Sequence, residues 1–189
     1  MKTLPSAASI ALCGIKHSGK TAVASALSSI LHWDFFDTDE FLMALFADRT
    51  GRHLTVREIY GEMGETRFRQ LEAEAVRLLP AGQTGGRIVA LGGGVLTNPN
   101  FTADDRASLG FLCWLDTTDS VAYGRILKDG LPPFLSKEAD PFGAFRKMND
   151  ERRTVFRMQA DAVVRPTAES TPDGTARIIL TMYRERTAK

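Results

Sequence analysis

The chain has 189 residues, and its 24 lysine and arginine residues nearly balance its 23 aspartate and glutamate residues. With 43% hydrophobic and 25% charged residues, the composition is that of an ordinary globular protein, so we expect residues 1–189 to form a single domain. The charges are interleaved, without a basic block or an acidic tail, and this argues against a nucleic-acid-binding protein. No segment is long and apolar enough to predict a membrane span.

The two cysteines, Cys13 and Cys113, lie in apolar runs, and neither belongs to a C-x-x-C pair. This pattern favours buried free thiols over a metal site, and free thiols fit a reducing compartment. The apolar run at residues 10–15 is short and leads directly into a glycine-rich segment, which is not typical of a signal peptide. We therefore expect a cytoplasmic protein, and we also expect a monomer that binds a small-molecule substrate.

Apolar runs that are typical of buried strands alternate along the chain with segments of helical periodicity. The predicted strands span residues 7–13, 33–36, 87–91, 111–115 and 162–165. The predicted helices span residues 21–31, 40–48, 55–62, 65–79, 120–128, 143–159 and 175–184. Residues 129–142 are rich in glycine, proline and charge, which predicts a mobile loop. The alternation predicts an α/β fold with a five-stranded parallel sheet and helices on both faces.

Residues 14–21 read GIKHSGKT and match the phosphate-binding loop pattern G-x-x-x-x-G-K-[ST]. The match lies between a predicted strand and a predicted helix, which is the context that the motif requires. The two glycines allow a tight curl in which backbone N–H groups point at an anion, and the helix N-terminus adds partial positive charge. The lysine would reach the outer phosphates and the threonine would bind Mg²⁺. The candidate nucleotide-binding residues are Gly14, Lys16, His17, Ser18, Gly19, Lys20 and Thr21.

Two further groups follow predicted strands directly. Asp37 and Asp39 end the second strand, and in an extended segment their side chains would point the same way. Two carboxylates that face a phosphate loop indicate Mg²⁺ binding and contact with a substrate hydroxyl, whereas the alternative is a helix N-cap. Residues 92–94, three glycines after the third strand, suit close approach of a ligand to the main chain, and the alternative is a plain flexible turn. In parallel sheets, ligands bind beyond the carboxyl ends of the strands.

Three arginines and one glutamate on predicted helices are weaker candidates. Arg69 and Glu72 are three residues apart, so they share a helix face and can pair, although a solvated surface pair would have the same spacing. Arg125 and Arg152, taken singly, have the pattern of ordinary solvated surface residues.

These groups, in this order, resemble shikimate kinase, a family of P-loop kinases in the nucleoside-monophosphate-kinase-like superfamily. The resemblance runs from about residue 10 to about residue 165 and rests on GIKHSGKT, DTD, GETRFRQLE, the GGG after a strand, and ERRTVFRMQAD. It implies transfer of the γ-phosphoryl group of ATP to the 3-hydroxyl of shikimate with Mg²⁺, a step of aromatic amino acid biosynthesis. The phosphate loop alone would indicate only a nucleotide-binding protein.

The resemblance also implies a role for each candidate. Lys20 and Asp39 would be catalytic, with Asp39 binding the ring hydroxyls and helping to take the proton, while Thr21 and Asp37 would hold Mg²⁺. Arg69 and Arg152 would grip the shikimate carboxylate. The remaining implied positions are Glu72 beside Arg69, Gly92, Gly93 and Gly94 along the substrate pocket, Arg125 near the adenine, and residues 129–142 as a mobile lid.

The sequence departs from the family pattern at two places. His17 stands where the family usually has glycine, and Pro132 stands where it usually has a lid arginine that neutralises the transferring phosphate. Losing such an arginine can slow phosphoryl transfer by several orders of magnitude. Either another cation replaces it, with Lys16, Lys128 and Lys137 nearby in sequence, or activity is weak, or the substrate differs. The alternatives are therefore a kinase for another small polyol acid such as gluconate, or a nucleotide-binding regulatory module.

Overall fold

The computed structural model describes residues 8–83, 85–131 and 133–188. The first residue of the predicted first strand, Ala7, lies outside the described residues, and so does Pro132.

A five-stranded parallel sheet forms the centre of the fold. The strands are Ala8–Cys13 (β1), Asp34–Asp37 (β2), Gly86–Ala90 (β3), Phe111–Leu115 (β4) and Ala162–Val164 (β5). All neighbouring strands pair in parallel, in the order β2-β3-β1-β4-β5. The apolar strand β1 therefore lies in the middle of the sheet, as expected for a strand that is buried on both faces. The predicted sheet is confirmed.

Eight α-helices connect and cover the strands in the described ranges, together with one 3-10 helix at Val95–Thr97. The α-helices are Lys20–Leu31 (α1), Thr38–Thr50 (α2), Val56–Arg77 (α3), Ala103–Ser108 (α4), Asp119–Asp129 (α5), Pro133–Ser136 (α6), Pro141–Gln159 (α7) and Pro172–Thr187 (α8). No helix in these ranges has the length and apolar character needed to cross a membrane.

Side chains of each strand alternate between two hydrophobic cores, one on each face of the sheet. On one face, residues of β1 such as Leu12 pack with apolar side chains of α1 and α8, including Leu27 and Ile179. On the other face, side chains such as Trp114 pack with α3, α5 and α7, including Phe156. Helices therefore cover both faces, as predicted. The two cysteines are buried free thiols and belong to opposite cores.

The helix pair α2–α3 carries a third, smaller core that includes Leu42, Phe46 and Phe68. Thr55 begins α3 with a capping box, because its hydroxyl accepts a hydrogen bond from the Glu58 amide and the Glu58 carboxylate accepts one from the Thr55 amide. Gly64 interrupts α3 with non-helical angles, φ 71° and ψ 167°. The two helices predicted at 55–62 and 65–79 are thus the two halves of one kinked helix.

The prediction of a loop at residues 129–142 is wrong in part, because α6 lies within this segment and α7 begins at its end. Leu135 of α6 is only 2% exposed, so burial against the core holds a helix of four residues that propensity alone would not form. The α7 helix begins two residues earlier than predicted. Asp140 caps it by accepting a hydrogen bond from the Gly143 amide, and Pro141 suits the first helical turn.

Candidate active site

Three loops meet at the carboxyl-terminal edge of the sheet. They are residues 14–19 between β1 and α1, residues 37–39 at the junction of β2 and α2, and residues 92–94 after β3. The register pairs Asp37 with Ala90, and Ala90 with Leu12, so the three strands end side by side. The structure therefore brings together the three segments that follow predicted strands in the sequence.

The loop of residues 14–19 has the backbone of an anion cradle. Gly14 and Gly19 adopt φ of 152° and 98°, and a Cβ atom on Gly14 would lie 2.8 Å from the Leu115 carbonyl oxygen. The Ser18 amide donates to the Ile15 carbonyl at 3.2 Å, which closes a turn. His17 within this turn has φ 60°, in the left-handed region that glycine tolerates best, which gives a physical reason for glycine at this position.

Two polar side chains of the cradle, Lys20 and Ser18, are available to bind a ligand. Lys20 Nζ donates to the carbonyl oxygens of Gly14 and Ile15, both at 3.0 Å, so its ammonium is folded against the loop. Burial lowers the pKa of Lys20, while the negative charge of Asp39 acts in the opposite direction. Ser18 Oγ is buried and finds no hydrogen-bond partner within the described part of the chain. A phosphate group would satisfy such donors, so the cradle fits a nucleotide phosphate.

Asp37 forms both a helix cap and a contact with the phosphate loop. Its Oδ1 accepts a hydrogen bond from the Asp39 amide at 2.9 Å, which caps α2, and its Oδ2 accepts one from Thr21 Oγ1 at 3.0 Å. The expectation of an extended segment is wrong, because Asp39 lies in the first turn of α2. Helix formation therefore changes the direction of the Asp39 side chain. Both carboxylates nevertheless remain at the carboxyl-terminal edge of the sheet. Burial, and next the negative charge of Asp37, raise the pKa of Asp39.

The oxygens of Thr21 and Asp37 fit a magnesium ion. Mg²⁺ prefers hard oxygen ligands and is usually bound by one or two protein groups, water and substrate phosphates. The hydroxyl and the carboxylate lie 3.0 Å apart beside the phosphate cradle. Over the described ranges, no group of three or more histidine, cysteine, aspartate or glutamate side chains could hold a metal. The donor set therefore matches an ion that is bound together with a nucleotide.

The glycine run at 92–94 is lined by side chains of the candidate site. A Cβ atom on Gly92 would collide with the Asp39 carboxylate, and the Gly92 amide donates to the buried Thr38 hydroxyl at 2.7 Å. A Cβ atom on Gly93 would lie 3.4 Å from Arg152 Nη1. These glycines are therefore positions at which a larger residue would displace the side chains around the site, which argues against a plain flexible turn.

The third glycine faces the predicted Arg69–Glu72 pair. A Cβ atom on Gly94 would lie 2.6 Å from Arg69 Nη1 and 3.3 Å from Glu72 Oε1. Arg69 Nη1 donates to Glu72 Oε2 at 3.0 Å, and Glu72 is buried with a side chain only 7% exposed. Asn98 holds the pair in place, because its Nδ2 donates to Glu72 Oε2 at 2.9 Å and to the Arg69 carbonyl at 2.7 Å. The pair is therefore not a solvated surface pair.

Two arginines from different helices converge at this loop. Arg69 comes from α3 and Arg152 from α7. Burial, together with the positive charge of Arg69, lowers the pKa of Arg152, while Glu72 acts in the opposite direction. Two guanidinium groups beside one carboxylate leave an excess of positive charge, which suits an anionic ligand group.

Arg125 also reaches the phosphate loop, from α5. Its Nη1 donates to the His17 carbonyl at 2.9 Å and lies 3.4 Å from the Cβ position of Gly19. Arg153, which follows Arg152 in α7, does not share this role, because its Nη1 forms an ion pair with Asp119 Oδ2 at 2.8 Å.

Sequence reasoning missed three residues that hold these loops. Thr38 binds the Gly92 amide, Asn98 binds Glu72, and the buried Thr117 donates to the Ser18 carbonyl at 3.1 Å. Thr38 could have been found from its position between the two aspartates. The other two carry no local signal, because their partners are 26 and 99 residues away.

Known proteins resemble this chain over nearly its whole length. The family model described as shikimate kinase matches residues 16–184. A shikimate kinase of Symbiobacterium thermophilum is 36% identical over 173 residues, which cover 90% of this chain and 93% of that protein.

Solved structures agree. A shikimate kinase from Acinetobacter baumannii, in complex with shikimate, superimposes with a TM-score of 0.78 at 25% identity and covers 96% of both chains. A gluconokinase from Sinorhizobium meliloti superimposes with a TM-score of 0.56 at 15% identity, covering 97% of this chain and 95% of that one, which shows a shared fold alone.

Proposed function

This chain belongs to the shikimate kinase family, and we propose that it transfers the γ-phosphoryl group of ATP to the 3-hydroxyl of shikimate. The observation that carries this proposal is the arrangement along residues 92–94. The Asp39 carboxylate lies against the first glycine, and the Arg152 and Arg69 guanidinium groups lie against the second and third. Such a row offers a hydroxyl acceptor at one end and a carboxylate clamp at the other, as a cyclic hydroxy acid requires.

We propose that the loop of residues 14–21 binds the ATP phosphates. Its amides would wrap the phosphate chain, Ser18 Oγ would gain its missing partner, and Lys20 would exchange the two loop carbonyls for phosphate oxygens. Arg125, which already contacts the loop from outside, would lie near the adenine. Thr21 and Asp37 would hold Mg²⁺, which supplies positive charge to the phosphates when bound.

The protein's own groups would then position two reactants and receive one proton. Arg69 and Arg152 would hold the substrate carboxylate, and Glu72 would keep Arg69 in place. Asp39 would accept the proton of the attacking hydroxyl. Its pKa is raised by burial and by Asp37, and a raised pKa makes the ionised carboxylate a stronger base. Phosphoryl transfer needs little more than such positioning and charge neutralisation.

Residues 129–142 are proposed to close over the nucleotide as a lid. The segment includes the short helix α6, whose buried Leu135 anchors it to the core, so closure would move the parts on either side of that anchor. Closure would exclude water, which would otherwise hydrolyse ATP. The expectations of a single domain and of a monomer in the cytoplasm, without a nucleic-acid or membrane partner, remain predictions.

Release of ADP from MgATP tests the proposed function, with shikimate and gluconate added in parallel to the full-length protein. We expect strong stimulation by shikimate and none by gluconate. Stimulation by gluconate alone would favour a kinase for another polyol acid. ATP binding without stimulation by either acid would favour a regulatory module, and both of these outcomes contradict the proposal.

A further inference from the structure

A second lysine of the phosphate loop, Lys16, lies where the three loops of the site meet. It occupies the turn that the Ser18 amide closes on the Ile15 carbonyl, and its side chain is exposed whereas the neighbouring Ile15 is only 1% exposed. The Lys16 amide nitrogen lies 3.9 Å from the Cβ position of Gly93. The residue therefore stands between the phosphate cradle and the glycine run.

The same Cβ position of Gly93 lies 3.4 Å from Arg152 Nη1, so the Lys16 backbone and the Arg152 side chain of α7 both lie beside this glycine. The charge of Lys16 also reaches Asp39. Burial and Asp37 raise the pKa of that carboxyl, and the positive charges of Lys20 and Lys16 partly offset the rise. Lys16 belongs to the phosphate cradle, and its positive charge acts on the proposed acceptor of the hydroxyl proton.

Three other cations at the site already have hydrogen-bond partners. Lys20 Nζ binds two carbonyl oxygens of the loop, Arg69 pairs with Glu72, and Arg125 binds the His17 carbonyl. The Lys16 ammonium, in contrast, makes no hydrogen bond or ion pair with any described residue. The ammonium therefore need give up no hydrogen bond or ion pair with a described residue in order to bind a phosphate.

We propose that Lys16 is a catalytic residue whose ammonium binds an oxygen of the phosphoryl group in transfer. This inference rests on the proposed function. In the reaction, the substrate hydroxyl oxygen forms a bond to the γ-phosphorus while the bond from that phosphorus to the bridging oxygen of ADP breaks. The bond's electron pair leaves with ADP, and the hydroxyl proton passes to Asp39. Lys16 remains protonated throughout and neutralises charge on the equatorial oxygens.

The three lysines that the sequence offers as substitutes for a lid arginine lie in different parts of the fold. Lys128 lies in the last turn of α5 and Lys137 directly follows α6, whereas Lys16 belongs to the loop that would hold the phosphates. A cation built into the cradle would be in place before any lid closes. Activity of this chain would therefore depend less on closure for charge neutralisation.

Steady-state kinetics of Lys16→Gln and Lys16→Arg test this role, with Lys147→Ala on the exposed side of α7 as the matched control. We expect Lys16→Gln to lower kcat by about 100-fold, the typical effect of removing one preorganised transition-state contact, with KM for both substrates nearly unchanged. Lys16→Arg should retain much of the rate because it keeps the charge. Lys147→Ala should match the wild type, and Lys128→Ala and Lys137→Ala should lower kcat far less than Lys16→Gln does.

A binding measurement separates this role from a structural one. We expect Lys16→Gln to bind MgATP normally but to bind MgADP, shikimate and aluminium fluoride together, a mimic of phosphoryl transfer, about 100-fold more weakly. Unchanged kcat, or equal loss of ATP affinity and kcat, would overturn the inference. A wild-type protein that shikimate does not stimulate would instead refute the proposed function, so the two failures are distinguishable.

Discussion

Replacement of Gly94 by alanine tests whether the glycine run sets the position of the carboxylate clamp. The new Cβ atom would fall 2.6 Å from Arg69 Nη1, well inside the 3.4–4 Å of ordinary contact. The guanidinium would therefore have to move by about 1 Å, away from Gly94. Because the displaced atom is the end of a flexible side chain, the fold should tolerate the change even though the clamp is disturbed.

The functional cost follows from what Arg69 is proposed to do. A guanidinium that contacts a carboxylate forms charge-assisted hydrogen bonds, each of which contributes about 1.5–3 kcal/mol. Loss of one such bond through misplacement corresponds to a rise of roughly 10- to 100-fold in KM for shikimate. The KM for ATP should stay within about threefold of the wild type, because the phosphate loop is untouched.

A coupled assay of ADP formation across a shikimate series, together with thermal unfolding, measures both effects. Gly61→Ala is the matched control, since Gly61 also lies in the first half of the chain but, beyond its chain neighbours and the adjacent backbone of its own helix, no described atom comes within 4 Å of its Cβ position. It should leave both KM values unchanged. If Gly94→Ala bound shikimate as tightly as the control, the assignment of Arg69 and the glycine run to the substrate carboxylate would be wrong.

Three other substitutions probe separate parts of the molecule. Lys20→Met should reduce turnover to background, because the ammonium in the cradle is lost, and a rate near that of the wild type in the ADP assay would remove the loop from the mechanism. Arg69→Ala should raise KM for shikimate by about 10- to 100-fold in the same assay and leave ATP affinity unchanged; equal losses for both substrates would contradict a clamp. Asp105→Asn should lower the free energy of unfolding at pH 7 by about 1 kcal/mol in urea titrations, a value discounted because the partner Arg77 is 44% exposed. The Arg77 hydrogen bond lowers the pKa of Asp105 to about 2, so this stabilisation should be present above about pH 4 and disappear as the pH falls towards 2. If the free energy of unfolding of Asp105→Asn fell between pH 4 and pH 2 as steeply as that of the wild type, the Arg77–Asp105 pair would not be the source of this acid sensitivity.

Much of the fold follows from local patterns. The strand β1, the phosphate loop and α1 are predictable because a buried apolar run, a glycine-lysine motif and helical periodicity follow one another within residues 8–31. The kink at Gly64 is likewise a local property of the chain. In each of these cases the residues that determine the structure are neighbours in sequence.

The elements that local patterns missed depend on tertiary contacts. The α4 helix is six residues long, and it is held by the Thr102–Asp105 capping box and by the contact of Asp105 with Arg77, 28 residues earlier. The α6 helix depends on the burial of Leu135 in the core. Helices this short have too few apolar residues to show a period, so sequence alone predicts loops there.

The candidate site divides in the same way. The phosphate loop and the two aspartates are recognisable from the sequence, but the convergence of Arg69 and Arg152 joins positions on two helices that no spacing rule connects. The position of Asp39 was not predictable from strand alternation, because α2 begins at Thr38, two residues before the predicted helix start at residue 40. Asn98 and Thr117 act through partners far away in sequence and are visible only in the folded chain.

Identification of the reaction product tests the central claim most directly. Full-length protein would be incubated with MgATP and shikimate, and the product would be examined by phosphorus and proton NMR. We expect one phosphorylated product for each ADP formed, with its phosphorus coupled to the proton on carbon 3 of the ring. A phosphate on another hydroxyl, or inorganic phosphate as the sole product, would contradict the proposed transfer.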